Sequence, residues 1–372
     1  MLQEKLFLRT RRKRIYFDWI SLGTIGVLAS IGLLFVWSAT YKPDIPYSLF
    51  FKKQLFGVIF GFIIYLVCTF SDYRPIMRWG YFFYFIIIAL LIFTIIKGTI
   101  GMGAQRWINF GLIKIQASEL AKLFFPSLIS YYLYTENESF IFKNKDFILM
   151  LLMLLMSTLL ILKQPDLGTA IILLSLGLIC IWLAGLNKRW FFYGTVILLL
   201  CAPLGWYVLK PYQRNRIAVF LGKGQPLKER YQIEQSTIAI GSGGIIGKGF
   251  LHGTQNKLQF LPECRTDFIF SVICEERGLL GALFVVLLYI LLFARLFLRI
   301  VQLPTSWAQL FAFGLIIHIV LSTIINIGMV LGLLPIVGIP LPLISYGVSN
   351  LWVTFASLGI CQSVLMHRYY TM

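Results

Sequence analysis

GTQNKLQFLPECRTDFIFSVICEERGLLGALFVVLLYILLFA, residues 253–294, joins two kinds of sequence. Up to Asp267 it is polar loop. From Phe268 it is an apolar run long enough to cross a bilayer, which takes roughly 20 residues. Asp267 sits at the seam. A carboxylate at the edge of hydrocarbon is costly and marks function more often than packing. Lys257 and Arg265 precede it in the same loop, which points to an anionic substrate at a membrane surface.

Outward from that seam the composition is that of a membrane protein. The 372 residues are 59% hydrophobic and 13% charged, with 32 Phe, 18 Tyr and 9 Trp. Soluble domains are about half apolar and about a quarter charged. The expected fold is an all-α polytopic membrane protein of ten transmembrane helices, at about 17–38, 55–71, 79–97, 117–134, 147–163, 166–185, 190–209, 268–294, 306–331 and 345–366. These merge into one integral membrane domain over 1–372, with a basic N-terminus at 1–16 and a large loop at 210–267 carrying amphipathic segments between helices 7 and 8. The first span follows RTRRKR without a convincing small-residue cleavage site, so it reads as an uncleaved anchor.

The net charge of +18 is dispersed over loops. No basic tract exceeds the short Arg9–Arg14 cluster, so a nucleic-acid partner is not expected. With the N-terminus inside, the cytoplasmic short segments hold fifteen Lys/Arg and the opposite short loops hold seven. That bias places both termini in the cytoplasm and the 210–267 loop outside. The loop carries nine Lys/Arg against Glu229, Glu234, Glu263 and Asp267. Long loops escape the positive-inside rule, and a surface that holds phosphate is the sharper reading. Most of the six cysteines fall in apolar runs, and no CxxC occurs, so neither a zinc site nor a disulfide framework is supported.

Several motifs carry polar chemistry. The run GSGGIIGKG at 241–249 resembles a P-loop and fails as one: Ser242 stands where the first Gly is needed, and Gly249 where Ser or Thr should follow Lys248. A tight amphipathic turn on the membrane fits better, with Lys248 still able to meet a phosphate. Glu119 and Lys122, three apart, share one helical face and are expected to pair with each other or with a ligand. Arg106-Trp107 lies in an outer loop, where Arg forks onto phosphate oxygens and Trp suits the interface. Asp166 fits either a helix N-cap or a catalytic role. Arg214 and Arg216 suit phosphate clamps or headgroup anchors. The three histidines are unclustered, and His318 reads as a buried hydrogen-bonding residue. Glu275 and Glu276 require partners, in Arg277 or across the bundle. Pro335, Pro340 and Pro342 with Gly338 and Gly347 interrupt the last two spans, and irregular backbone at that depth is tolerated where it is buried or lines a cavity.

Five strings together, RWINFGLIKIQASELAK (106–122), QPDLGTA (164–170), YQIEQSTIAIGSGGIIGKG (231–249), GTQNKLQFLPECRTDFIF (253–270) and NIGMVLGLLPIVGIPLPLISYG (326–347), resemble the SEDS family of bacterial cell-wall glycosyltransferases. The resemblance spans nearly the whole chain and includes the ten-helix layout. The short termini are more similar to the elongation member than to the division member. Departures fall at Arg265, where the family often has His, at Gln259, where it often has Glu, and in the run Ser345-Tyr-Gly-Val-Ser-Asn350.

The resemblance implies polymerisation of lipid II, a disaccharide-peptide on an undecaprenyl pyrophosphate carrier, with release of undecaprenyl diphosphate. It implies the bacterial cytoplasmic membrane as location, and as partners a class B penicillin-binding protein and the elongation machinery. The chemistry suits the residues. An attacking hydroxyl needs one base, and a pyrophosphate leaving group needs positive charge rather than an acid, so the paired carboxylates of a glycosidase are not required. Asp267 is then the expected base, or ligand to a divalent cation such as Mg or Mn, with Glu119 and Lys122 beside it. Arg106, Lys122, Arg214, Arg216 and Lys248 are candidates for the pyrophosphate. Trp107, Asp166, Glu263 and Ser345 are further candidate substrate contacts. The competing readings are a flippase for lipid-linked precursor, whose key ionisable groups should lie near the midplane, and a scaffold without chemistry.

Overall fold

The computed structural model describes residues 17–44, 46–101, 104–109, 114–135, 144–185, 189, 214, 216, 218–219, 228–258 and 260–367. The basic N-terminal cluster, the expected span 190–209, much of the loop that follows it, and Gln259 lie outside them.

Asp18 starts the first helix, α1 (Trp19–Thr40), by accepting the N–H groups of Ile20 and Ser21. A capping carboxylate satisfies donors that have no intrahelical partner. The same buried group takes Arg295 Nε at 2.7 and 2.8 Å, tying α1 to a distant span. Ser48 caps α2 (Leu49–Phe70). That cap moves the start ahead of the expected 55 and puts Lys52 and Lys53 inside the helix. Lys tolerates a helix end at the membrane edge because its stem lies along apolar surface while its ammonium reaches water.

After α3 (Tyr73–Arg78) and α4 (Gly80–Lys97) the chain departs from the all-α expectation. Within the stretch expected as loop, the described residues form an antiparallel sheet of β1 (Thr99–Gly101), β2 (Ala104–Asn109) and β3 (Lys114–Gln116), in that order, with Trp107 opposite Gln116 and Ile108 opposite Ile115. Three short strands give no hydropathy signal of membrane length. Pairing satisfies the backbone groups of a segment too polar to span.

The helical pattern resumes with α5 (Ala117–Thr135), α6 (Asn144–Lys163), α7 (Leu167–Leu183), α8 (Lys228–Gly243), the single turn α9 (Thr254–Lys257), α10 (Ile269–Ile300), α11 (Ser306–Val330) and α12 (Val348–Met366). Among the described residues seven helices, α1, α2, α4, α6, α10, α11 and α12, are long and apolar enough to cross a membrane, so the protein is polytopic. Of the remaining expected spans, α5 carries Glu119, Lys122 and Pro126, and α7 has 17 residues. One apolar cluster gathers α1, α2, α10, α11 and α12. A second gathers α4 to α7 and the N-terminal half of α11, through Leu310 and Ile317, so α11 is shared by both. His318 in α11 is buried, with Nε2 2.9 Å from the Ser357 hydroxyl, as expected.

The Gly-rich run has a structural cause that the membrane-turn reading missed. The long helix α10 breaks at Gly278 (φ 63°), which leaves backbone groups unsatisfied inside the fold. Residues 244–249 fill the gap. Leu279 and Leu280 donate to the carbonyls of Gly244 and Ile245, while the N–H groups of Lys248 and Gly249 donate to Glu275 and Glu276. A Cβ on Gly278 would sit 2.4 Å from the Ile245 carbonyl oxygen. The glycines thus permit backbone-to-backbone contact. Glu275 and Glu276, buried at this break, find their partners here and across the bundle: Lys248 Nζ lies 2.7 Å from Glu275, and the Ser38 hydroxyl donates to Glu276.

Gly278→Ala combines a positive φ, costing about 1–2 kcal/mol, with overpacking of about 1–3 kcal/mol. We expect it to lower the thermal unfolding midpoint by several degrees in detergent. Gly241→Ala, whose Cβ would meet nothing within 4 Å, should leave the midpoint unchanged. Equal midpoints for the two variants would contradict this account of the break.

Candidate active site

Asp267 belongs to a tight turn closed on Glu263. The N–H groups of Thr266, Asp267 and Phe268 all donate to the Glu263 carbonyl, at 3.1, 3.2 and 3.4 Å. Glu263 itself adopts φ 53°, a left-handed conformation that non-glycine residues rarely hold without support. The support is the irregular segment between α11 and α12. Asn326 Nδ2 donates to the Asp267 carbonyl at 2.9 Å and to that of Ile339 at 2.7 Å. The Tyr346 N–H donates to Arg265, and the Ser345 hydroxyl donates to Thr266 while accepting from Leu341. Gln54 from α2 closes the arrangement by donating to the Ser345 carbonyl and accepting from Gly347.

The carboxylate of Asp267 faces this broken segment. Its Oδ2 lies 3.6 Å from where a Cβ on Gly338 would stand, and Gly338 has φ 75°. Burial pushes the Asp267 carboxyl up to about 6, and the nearby Glu263 adds to the rise. Arg216, Arg106 and the Thr266 hydroxyl pull in the other direction. A group that titrates near neutrality is suited to accept a proton.

Arg106 connects Asp267 to a second cluster. Its Nη1 lies 3.4 Å from Asp166 Oδ2. Asp166 is the N-cap of α7, accepting the N–H and hydroxyl of Thr169 and the Gln116 amide. The helix-cap reading of Asp166 therefore holds, and the same carboxylate also pairs with Arg106. Glu119 and Lys122 are fully enclosed and pair at 2.8 Å, with Asn350 donating to the same Glu119 oxygen.

The expected site is thus only partly assembled in one place. Glu263, Arg106 and Arg216 all act on Asp267. Lys122 has its charge balanced by Glu119, and Lys248 by Glu275. Ser345 spends its hydroxyl on backbone and thereby positions the turn. Trp107 sits in β2 beside Arg106 and lines a groove of about 450 Å³ with Leu90 and Phe93. Arg214 is half-buried. In the departing run, Ser349 accepts the Gln116 N–H and Asn350 holds Glu119, so these residues tie α12 to the second cluster.

Sequence reasoning missed Asn326, Gln116 and Gln54. Buried amides must be hydrogen-bonded, so an amide inside an apolar run was the available signal for Asn326. Gln54 and Gln116 lay in segments read as loop.

Lys122→Met alone leaves a buried carboxylate uncompensated, a loss of about 3–5 kcal/mol. We expect a marked fall in thermal midpoint, largely recovered in the double variant Glu119→Gln/Lys122→Met. A double variant no more stable than the single would show that the pair is not the isolated unit seen here.

Comparison with known proteins agrees with this arrangement. The profile of the FtsW/RodA/SpoVE cell cycle protein family matches residues 15–370. The peptidoglycan glycosyltransferase MrdB of Escherichia coli K12 is 39% identical over 365 residues, 96% of each chain. Among solved structures, a chain from a peptidoglycan synthase complex that coordinates polymerization and crosslinking superposes with a TM-score of 0.80 at 31% identity, over 95% of this chain and 99% of that one. The rod shape determining protein RodA of Thermus thermophilus gives 0.72 at 27% identity, over 97% and 100%. With this match over nearly its full length, the chain belongs to the FtsW/RodA/SpoVE family, the SEDS proteins, and is of the RodA type.

Proposed function

We propose that this protein is a peptidoglycan glycosyltransferase that polymerises lipid II into glycan strands at the outer face of the bacterial cytoplasmic membrane during elongation, releasing undecaprenyl diphosphate. The observation that carries the proposal is one carboxylate, Asp267, held at the mouth of a membrane span with Arg106 and Arg216 acting on it. The extensive identity to MrdB supports it.

The reaction follows from this geometry. A hydroxyl of the acceptor sugar attacks the anomeric carbon of the donor. Asp267 takes the hydroxyl proton as the new C–O bond forms. The anomeric C–O bond to pyrophosphate breaks, and its electron pair leaves with the phosphate oxygen. Negative charge then grows on a group already weakly basic, so fixed cations stabilise it without a proton donor. We assign this role to Arg106, paired with Asp166, and to Arg216, with Arg214 as a further candidate. Glu119 and Lys122 then support the site through Asn350, and Trp107 and Glu263 border it. One displacement inverts the anomeric centre.

Among the described residues no group of three or more His, Cys, Asp or Glu is placed to share a metal ion. Asp267 and Glu263 nonetheless fit Mg²⁺ or Mn²⁺ held jointly with substrate phosphates, since Mg²⁺ typically uses one or two carboxylates and keeps its other sites for phosphate and water. Such an ion would supply additional positive charge at the leaving group.

The same reading takes the chain as a single integral membrane domain of ten spans with both termini cytoplasmic. The 210–267 segment lies outside, in keeping with the Lys/Arg bias. It also takes a class B penicillin-binding protein as the crosslinking partner within the elongation machinery. The solved relative from a synthase complex supports that partnership.

Asp267→Asn should cut polymer formation from purified lipid II by about 10²–10⁴, the usual contribution of a general base. It should leave the fold intact, because Asn326 binds the backbone carbonyl of this residue. Full polymerase activity in a folded Asn variant would remove Asp267 from the mechanism. Lipid transport in vesicles without polymer would favour a flippase, and normal cell growth on the variant would favour a scaffold.

A further inference from the structure

A cleft of about 850 Å³ opens beside the catalytic turn, between the loop that follows α1 and the segment that precedes Asp267. Five of its lining residues are charged: Lys42, Lys257 and Arg265 against Asp44 and Glu263. A wall of this kind does not suit a lipid chain. Its mixed signs suit a ligand bearing both carboxylates and an amine, and its volume falls within the range of about 300–1,000 Å³ typical of sites for small ligands.

Arg265 marks the cleft most clearly. Its guanidinium lies 4.0 Å over the Phe50 ring, which meets the edge of Tyr346. The stack fixes the plane of the fork. Yet Arg265 Nε is buried with no hydrogen-bond partner, and an unsatisfied buried donor is unfavourable. A carboxylate in the cleft would give the guanidinium the bidentate partner its geometry suits.

We propose that this cleft binds the peptide stem of the glycan substrate. The inference rests on the glycosyltransferase reading above. Glu263 lines the cleft and also acts on Asp267, so a ligand in the cleft is close enough to be covalently continuous with the sugar that reacts at Asp267. The cleft thereby sets specificity for the stem, apart from the chemistry at the sugar.

The test compares two lipid-linked disaccharides, one with the complete peptide stem and one with the stem cut back to its first residue. The wild-type protein should prefer the complete stem. Lys42→Gln/Lys257→Gln/Arg265→Gln should reduce that preference about tenfold, equivalent to about 1.4 kcal/mol. The effect should act through KM, with turnover of the trimmed substrate unchanged. Arg265→Lys, which keeps the charge and loses the fork, should fall between. Equal losses on both substrates, or no preference in the wild type, would overturn the proposal. Binding of the soluble stem peptide, measured by calorimetry, reads the cleft without catalysis. The triple variant should bind it about tenfold more weakly, and equal binding would overturn the proposal. Peptide binding that depends on the three residues, with no polymer from either substrate, would instead strike at the glycosyltransferase reading alone.

Discussion

The Asn326 side chain holds together the two irregular segments on which the site depends. Its amide bridges the backbone of Asp267, at the start of one membrane span, and of Ile339, in the break between two others. Backbone that leaves helical geometry in an apolar setting must find partners. Here the partners are side chains: Asn326 from α11, Gln54 from α2, and Ser345 from within the break itself. The result is a carboxylate presented from rigid surroundings, although neither segment that presents it is regular.

The charges obey a similar economy. Among the described residues, several deeply buried charges outside the reactive turn have an ionic partner, as in Asp18 with Arg295, Glu119 with Lys122, and Glu275 with Lys248, while Glu276 is held by the Ser38 hydroxyl and the Leu251 N–H. Asp267 differs. It is influenced by two arginines and a second carboxylate, and its elevated pKa leaves it able to exchange a proton near neutral pH. The break in α10 lies about three turns beyond it, clamped by residues 244–249. The short helical segment that follows Asp267 is thereby fixed at both ends.

Much of this was legible in the sequence because bilayers impose a length. The spans that coincide with α1, α10, α11 and α12 follow from apolar runs alone, and Asp267 stood out as a charge at the end of such a run. The Glu119–Lys122 pair was readable from its i,i+3 spacing. Features that depend on tertiary contact were not readable. The 99–116 sheet is too short to give a periodic signal. The glycines of 241–249 looked like a surface turn because the helix they complete is broken some thirty residues downstream. Lys248 looked available for phosphate because Glu275, its partner, lay in a run read as a membrane span. The Ser345 hydroxyl bonds the backbone of Thr266 and Leu341, contacts that only hydrogen-bond geometry reveals.

The central claim is that Asp267 acts as a base whose proton affinity is set by burial, by Glu263 and by the two arginines. The pH dependence of kcat/KM for glycan polymerisation tests it most directly, because that quantity reports groups of the free enzyme. Activity should fall as pH drops through about 6, as Asp267 becomes protonated. Removing a cation disfavours the ionised form, so Arg216→Gln should move this limb to higher pH. Removing the neighbouring negative charge favours it, so Glu263→Gln should move the limb to lower pH. An acid limb that stays in place in both variants would contradict the account.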